Sequence, residues 1–144
     1  MLTKDLVILP GFGAGQNEYL ISIAIGTSKR HLAMFDGDVA GEQAIQKYTR
    51  FFGVEEGKNW KKYLNSSGVE IQLEQIFSTA DLQRLLSLTK MKDPKKALTA
   101  LFFSSNKDSY WSGIDTETKD NIRENFKTMK DGLDLNSANF HTFK

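Results

Sequence analysis

The sequence predicts an α/β fold, a short and mostly parallel sheet flanked by helices, and three observations carry that expectation. Leu6-Val7-Ile8-Leu9 and residues 31–35 are short apolar runs, as buried strands of a parallel sheet require. Each run ends in a turn rich in glycine or aspartate, and each turn leads into a segment of helical periodicity. Two consecutive strand–turn–helix units imply parallel strands joined by right-handed crossovers.

The elements follow in order. The first strand stops at Pro10, and Gly11-Phe12-Gly13-Ala14-Gly15 forms a turn whose backbone can approach a bound group closely. Residues 18–25 place Tyr19, Leu20, Ile23 and Ala24 at helical spacing, with Gly26 as the stop. The second strand, residues 31–35, ends at Asp36-Gly37-Asp38. The helix over 41–52 sets Ala44, Ile45, Tyr48, Phe51 and Phe52 on one stripe and stops at Gly53.

Past Gly53 the pattern is more varied. Residues 58–63 are basic and aromatic, Ser66-Ser67-Gly68 is a turn, and Val69-Glu70-Ile71-Gln72-Leu73 alternates like a strand. Ser78 caps a helix with Leu82, Leu85 and Leu86 on its inner face. Asp93-Pro94 is a cap followed by proline at the first helical position, leading into Ala97, Leu98, Leu101 and Phe102. Asp115 opens a last amphipathic helix with Ile122, Phe126, Met129 and Leu133 on one side. One domain over residues 1–135 and a polar tail over 136–144 are expected, with Phe140 and Phe143 able to dock.

Composition narrows the chemistry. A chain of 144 residues, 40% hydrophobic, suits one domain with one sizeable core. Nineteen basic side chains against eighteen acidic leave +1, so nucleic-acid binding would need a local patch. The absence of cysteine excludes disulfides, thiol nucleophiles and cysteine-bearing zinc sites. His31 and His141 stand far apart in sequence, which argues against an imidazole-rich metal centre. Neither a GxSxG elbow nor a GxxxxGK[ST] loop occurs. No apolar stretch approaches the ~20 residues that span a bilayer, so a soluble cytoplasmic domain without a membrane partner is expected. Carboxylates, lysines and backbone remain, a set suited to a hard cation such as Mg2+ or Mn2+.

Ligands of open parallel sheets bind outside the carboxyl ends of the strands, where Asp36 and Asp38 fall. Side chains two apart on an extended segment point the same way, and Gly37 leaves the space between them clear. The pair reads as a divalent-ion site; the plainer reading is that Asp38 simply caps the helix containing Gly41 and Ala44. Lys58, Lys61 and Lys62 around Trp60 read either as a grip on a phosphate backbone or as a solvated face with its aromatic half in the core.

Phe35-Asp36-Gly37-Asp38-Val39-Ala40-Gly41, with Ala44 on the following helix, resembles the DxD motif of TOPRIM domains, which topoisomerases, bacterial primases and the overcoming-lysogenization-defect (OLD) nucleases share. The run from Leu6 through Gly11, Gly13 and Gly15 to Asn17 is similar to the strand and glycine turn of OLD-like TOPRIM domains. Ile71-Gln72-Leu73-Glu74-Gln75-Ile76-Phe77 resembles their later acidic motif, and Asp93-Pro94-Lys95-Lys96-Ala97 falls where that family has a lysine near the reacting phosphate.

The resemblance implies hydrolysis of DNA phosphodiesters. Asp36 and Asp38 would hold Mg2+ or Mn2+, Glu74 would complete a second position, and Lys96, or failing it Lys95, would offset charge on the reacting phosphate. It also implies an ATPase domain or chain as partner and a possible homodimer. TOPRIM domains begin with a strand ending in a glutamate, and here only Glu18 lies nearby, after the turn; the expectation is therefore an N-terminally truncated domain of a longer protein. Two other readings stand beside it: a TOPRIM remnant that binds metal or nucleic acid without catalysis, and primase-like nucleotidyl transfer. A dinucleotide-binding reading is weaker, because Gln16 stands where the last fingerprint glycine belongs.

Overall fold

The computed structural model describes residues 17–133, which form a mixed α/β fold. In chain order they run α1 (Asn17–Gly26), β1 (Ala33–Phe35), α2 (Val39–Phe52), β2 (Trp60–Lys62), α3 (Thr79–Thr89), α4 (Pro94–Phe102), α5 (Lys107–Ser112) and α6 (Thr116–Gly132). The strand expected at Leu6, the turn of Gly11, Gly13 and Gly15, and the tail from residue 136 lie outside the described residues. Among the described residues no helix is long and apolar enough to cross a membrane. The chain gathers into two compact units, one ending at Lys61 and resuming at Thr128, the other Lys62–Lys127.

β1 pairs with β2 in a two-stranded parallel sheet, and Ala33 N–H donates to the Asn59 carbonyl at 2.8 Å. The second strand was not legible in the basic and aromatic stretch where it lies. α2 begins on Asp38 and ends on Gly53, whose φ of 62° is the left-handed turn that glycine adopts without strain. Its buried stripe is Gly41, Ala44, Ile45 and Tyr48, and Phe52 packs behind it. Phe51, expected on that stripe, falls at its edge and is exposed.

These residues form a cluster with Ile21, Phe35 and Val54, and the Phe35 and Tyr48 rings stand 5.7 Å apart. α1 contributes Ile21, whereas Tyr19 and Ile23, expected to face inward, are exposed. That helix is apolar nearly all round, so spacing alone does not select its buried face.

The second unit opens with a tight turn. Asn65 accepts the N–H groups of Ser67 and Val69 on its side-chain oxygen, and Gly68 takes a positive φ of 79°. The strand expected over Val69 to Leu73 is reduced to one antiparallel bridge, Leu64 with Glu70. Beyond it the chain tightens into a 3-10 turn, Leu73–Ile76.

Ser78 caps α3, accepting from Asp81 N–H at 3.2 Å, and Asp93 caps α4 as expected. α3 and α4 pack together around Leu85, Ala97 and Leu101, joined by Ile71, Ile76, Phe77, Tyr110 and Ile114. Phe102 does not join them; it is 70% exposed. The short α5, unforeseen in the sequence, supplies Tyr110.

A buried polar network ties α3 to the turn before α6. Asp81, 3% exposed, accepts from Asp115 N–H at 2.9 Å and from the Thr118 hydroxyl at 2.6 Å, and pairs with Arg84 at 3.0 Å. Ser78 donates its hydroxyl to Asp115, and Tyr110 donates to the Asp81 carbonyl at 3.0 Å. The Ser78 hydroxyl, aided by Thr118 N–H, holds the Asp115 carboxyl below its ordinary value. Burial, reinforced by the charge of Asp81, pushes the Tyr110 phenol up to about 12.

The buried residues of α6 are polar: Thr118, Asn121, Asn125 and Thr128. Of the apolar stripe expected there, Phe126 is exposed and Ile122 only half-buried.

Candidate functional site

The aspartate turn is built from the strand upward. Phe35, 3% exposed, anchors the end of β1 in the first unit's cluster, and the chain then bends through Asp36-Gly37-Asp38. Asp38 has extended backbone, φ −123° and ψ 179°, and its Oδ1 accepts Gly41 N–H at 2.8 Å. Its carbonyl accepts the first helical hydrogen bond, from Glu42 at 3.0 Å. The capping reading of Asp38 is therefore realised. A carboxylate has about four acceptor positions, and a cap takes one.

Gly41 fixes the other side of the turn. A Cβ placed on it would stand 2.0 Å from the Asp36 carbonyl oxygen, closer than any side chain tolerates. The first turn of α2 is thus seated against the backbone of Asp36. Both aspartates are half-buried, with Gly37 exposed between them. The dipole of α2, with N–H groups at its start that have no acceptor within the helix, favours negative charge there. Two carboxylates on one turn match how Mg2+ is commonly held, by one or two carboxylates with water and substrate phosphate completing the shell. The donors present fit one such ion. Among the described residues, no group of three or more His, Asp or Glu gathers into a metal-holding arrangement.

Glu74 and Lys96 belong to the second unit. Glu74 lies in the 3-10 turn, and its Oε2 is buried without a hydrogen-bond partner. The ammonium beside it is that of Lys95, at 3.7 Å. Lys96 is exposed, and its main-chain N–H is held by the Asp93 cap at 3.1 Å. Asp36 and Asp38 share the turn after β1, Glu74 has the Lys95 ammonium beside it, and Lys96 gives its main-chain N–H to the Asp93 cap. Adjacent lysines on a helix's first turn look alike in sequence; only the turn's orientation separates them.

Other candidates resolve more simply. Glu18 pairs with Lys47 of α2 at 2.5 Å, across α1 and α2. Lys58 pairs with Glu55 and Lys62 with Glu70, while Trp60 packs on the first unit's cluster. Part of that segment is strand β2, with Trp60 on the core side. No known protein family, no curated protein and no solved structure matches the chain.

Proposed function

We propose that the chain is a TOPRIM-like, metal-binding domain that acts in the hydrolysis of DNA phosphodiesters, with Asp36 and Asp38 holding a Mg2+ or Mn2+ ion. The observation that carries this reading is the turn itself: β1 ends in two half-buried aspartates, and Gly41 clamps the following helix onto the backbone of the first. That construction gives the DxD pattern a fixed geometry of the kind a metal site needs. A bound ion there would supply Lewis-acid stabilisation of charge on a phosphate. The residues of the chain then divide the remaining work. The two aspartates fix and charge-balance the ion. Lys96, or failing it Lys95, is the lysine proposed to offset charge on the reacting phosphate. An ATPase partner and a homodimer belong to the same proposal.

The second reading is a domain that binds metal without cleaving DNA. A cleavage assay separates the two. Labelled single- and double-stranded DNA is incubated with the chain and Mn2+, with EDTA as control. The nuclease reading expects metal-dependent cleavage that Asp36→Asn abolishes. Manganese binding without cleavage supports the second reading. Cleavage that survives EDTA or Asp36→Asn contradicts both.

A further inference from the structure

Five lysines and a single aspartate lie between Lys90 and Lys107, in a chain whose net charge is only +1. The aspartate, Asp93, commits its carboxylate to the first turn of α4, accepting from the main-chain N–H groups of Lys95 at 2.9 Å and Lys96 at 3.1 Å. Lysine ammonium groups at that end oppose the helix dipole, so helix stability does not account for them. At the other end of α4 stand Phe102 and Phe103, 70% and 82% exposed. Their rings meet edge to face with centroids 5.3 Å apart, and Lys107 Nζ lies 5.8 Å from the Phe102 centroid. The same helix fills its core with Ala97 and Leu101, so the two rings are not part of that packing.

We propose that the exposed side of α4, with Lys96, Phe102, Phe103 and Lys107, binds an unpaired nucleic-acid strand. The rings stack on bases while the ammonium groups meet phosphates. Spacing supports a single surface: Lys95 with Phe102, and Lys96 with Phe103, are seven residues apart and so share a side of the helix. Charge selects a polyanion. The size of the apolar part selects stacking over a protein partner. Two phenylalanines offer about 300–500 Å2 at most, short of the ~800 Å2 per partner of a stable protein interface. A duplex keeps its bases stacked on one another, so exposed rings favour an unpaired strand. Ring stacking does not read the 2′-hydroxyl, and DNA and RNA share the chemistry that this surface recognises. The surface lies within Lys62–Lys127 and does not involve Asp36 or Asp38, so it stands whether or not the metal reading does.

Fluorescence anisotropy with the full chain in EDTA tests it, using labelled oligo-dT, oligo-rU and a hairpin duplex across a range of salt. The expected result is binding of oligo-dT or oligo-rU at least tenfold tighter than of the duplex; a preference between the two identifies the natural strand and leaves the surface assigned. Phe102→Ala/Phe103→Ala weakens that binding at least tenfold with the salt dependence retained. Lys96→Gln/Lys107→Gln lowers the slope of log affinity against log salt by about 1.4, since each phosphate contact on a single strand contributes about 0.7. Lys119→Gln, an exposed lysine on α6, changes neither. Absent binding, preference for the duplex, or unchanged affinity in the phenylalanine variant overturns the proposal. So does a dimer, seen by sedimentation, that the phenylalanine variant returns to monomer.

Discussion

Gly41 carries more of the candidate site than its lack of a side chain suggests. With the Asp36 carbonyl 2.0 Å from where a Cβ would sit, Gly41→Ala must push α2 away from β1. A cost of about 1–3 kcal/mol is expected in urea unfolding, the range of overpacked cores. An Ala variant as stable as the parent would show that the turn is not so clamped. Asp115 offers a second test at this scale. Its folded carboxyl titrates below its ordinary value of 3.8, chiefly through the Ser78 hydroxyl. The charged form therefore stabilises the fold above that pH, and the contribution is lost as pH falls through the folded value. Asp115→Asn should shrink the loss of stability between about pH 6 and about pH 2; an identical loss in both proteins contradicts the assignment. Single residues were the most legible part of the sequence where their chemistry is local. Ser78, Asp93 and Gly53 act as caps because a cap needs only its own few neighbours. Lys95 was harder to separate from Lys96, since both sit on one turn and only tertiary placement distinguishes them.

Among the elements, α6 departs most from its expected form. Asn125 accepts Leu64 N–H at 3.0 Å and donates to the Leu64 carbonyl at 2.6 Å, so its amide pairs with that residue as a neighbouring strand would. Asn121 does comparable work, accepting from Ser66 N–H at 2.7 Å and donating to the Ile76 carbonyl at 3.0 Å. The helix thus satisfies loop backbone that has no sheet to join. Asn125→Leu adds apolar surface at a buried position yet is expected to destabilise by about 1–3 kcal/mol, because it leaves both partly buried backbone groups of Leu64 without their partner. Thermal or urea unfolding checks this, and a Leu variant at or above parental stability overturns it. Hydrophobic spacing failed here for a physical reason. It assumes the inner face is apolar, whereas this face answers to unpaired N–H and C=O groups 40 or more residues earlier in the chain. β2 and α5 were missed for a related reason, each being too short to show a period.

Across the whole molecule, the class of fold was legible and the arrangement of its core was not. Helical periodicity and strand-ending glycines and aspartates were enough to give the α/β class, although the parallel pair observed, β1 with β2, uses a strand that the sequence did not show. Among the described residues, however, the packing gathers into two hydrophobic clusters where composition suggested one core. Composition counts apolar residues but does not say which of them meet. The same limit applies to the proposed site. The order of Asp36, Asp38, Glu74 and Lys96 along the chain is visible in sequence, but their distribution, two in each unit, is not. The central claim is that the aspartate turn binds a divalent ion, and calorimetric titration of Mn2+ into the full chain, Asp36→Asn and Asp38→Asn tests it most directly. Asparagine can still cap α2 at position 38, so the fold is retained while the charge is removed. Saturable binding of one ion to the parent chain, lost in both variants, is the predicted result; no binding, or equal binding by all three proteins, would contradict it.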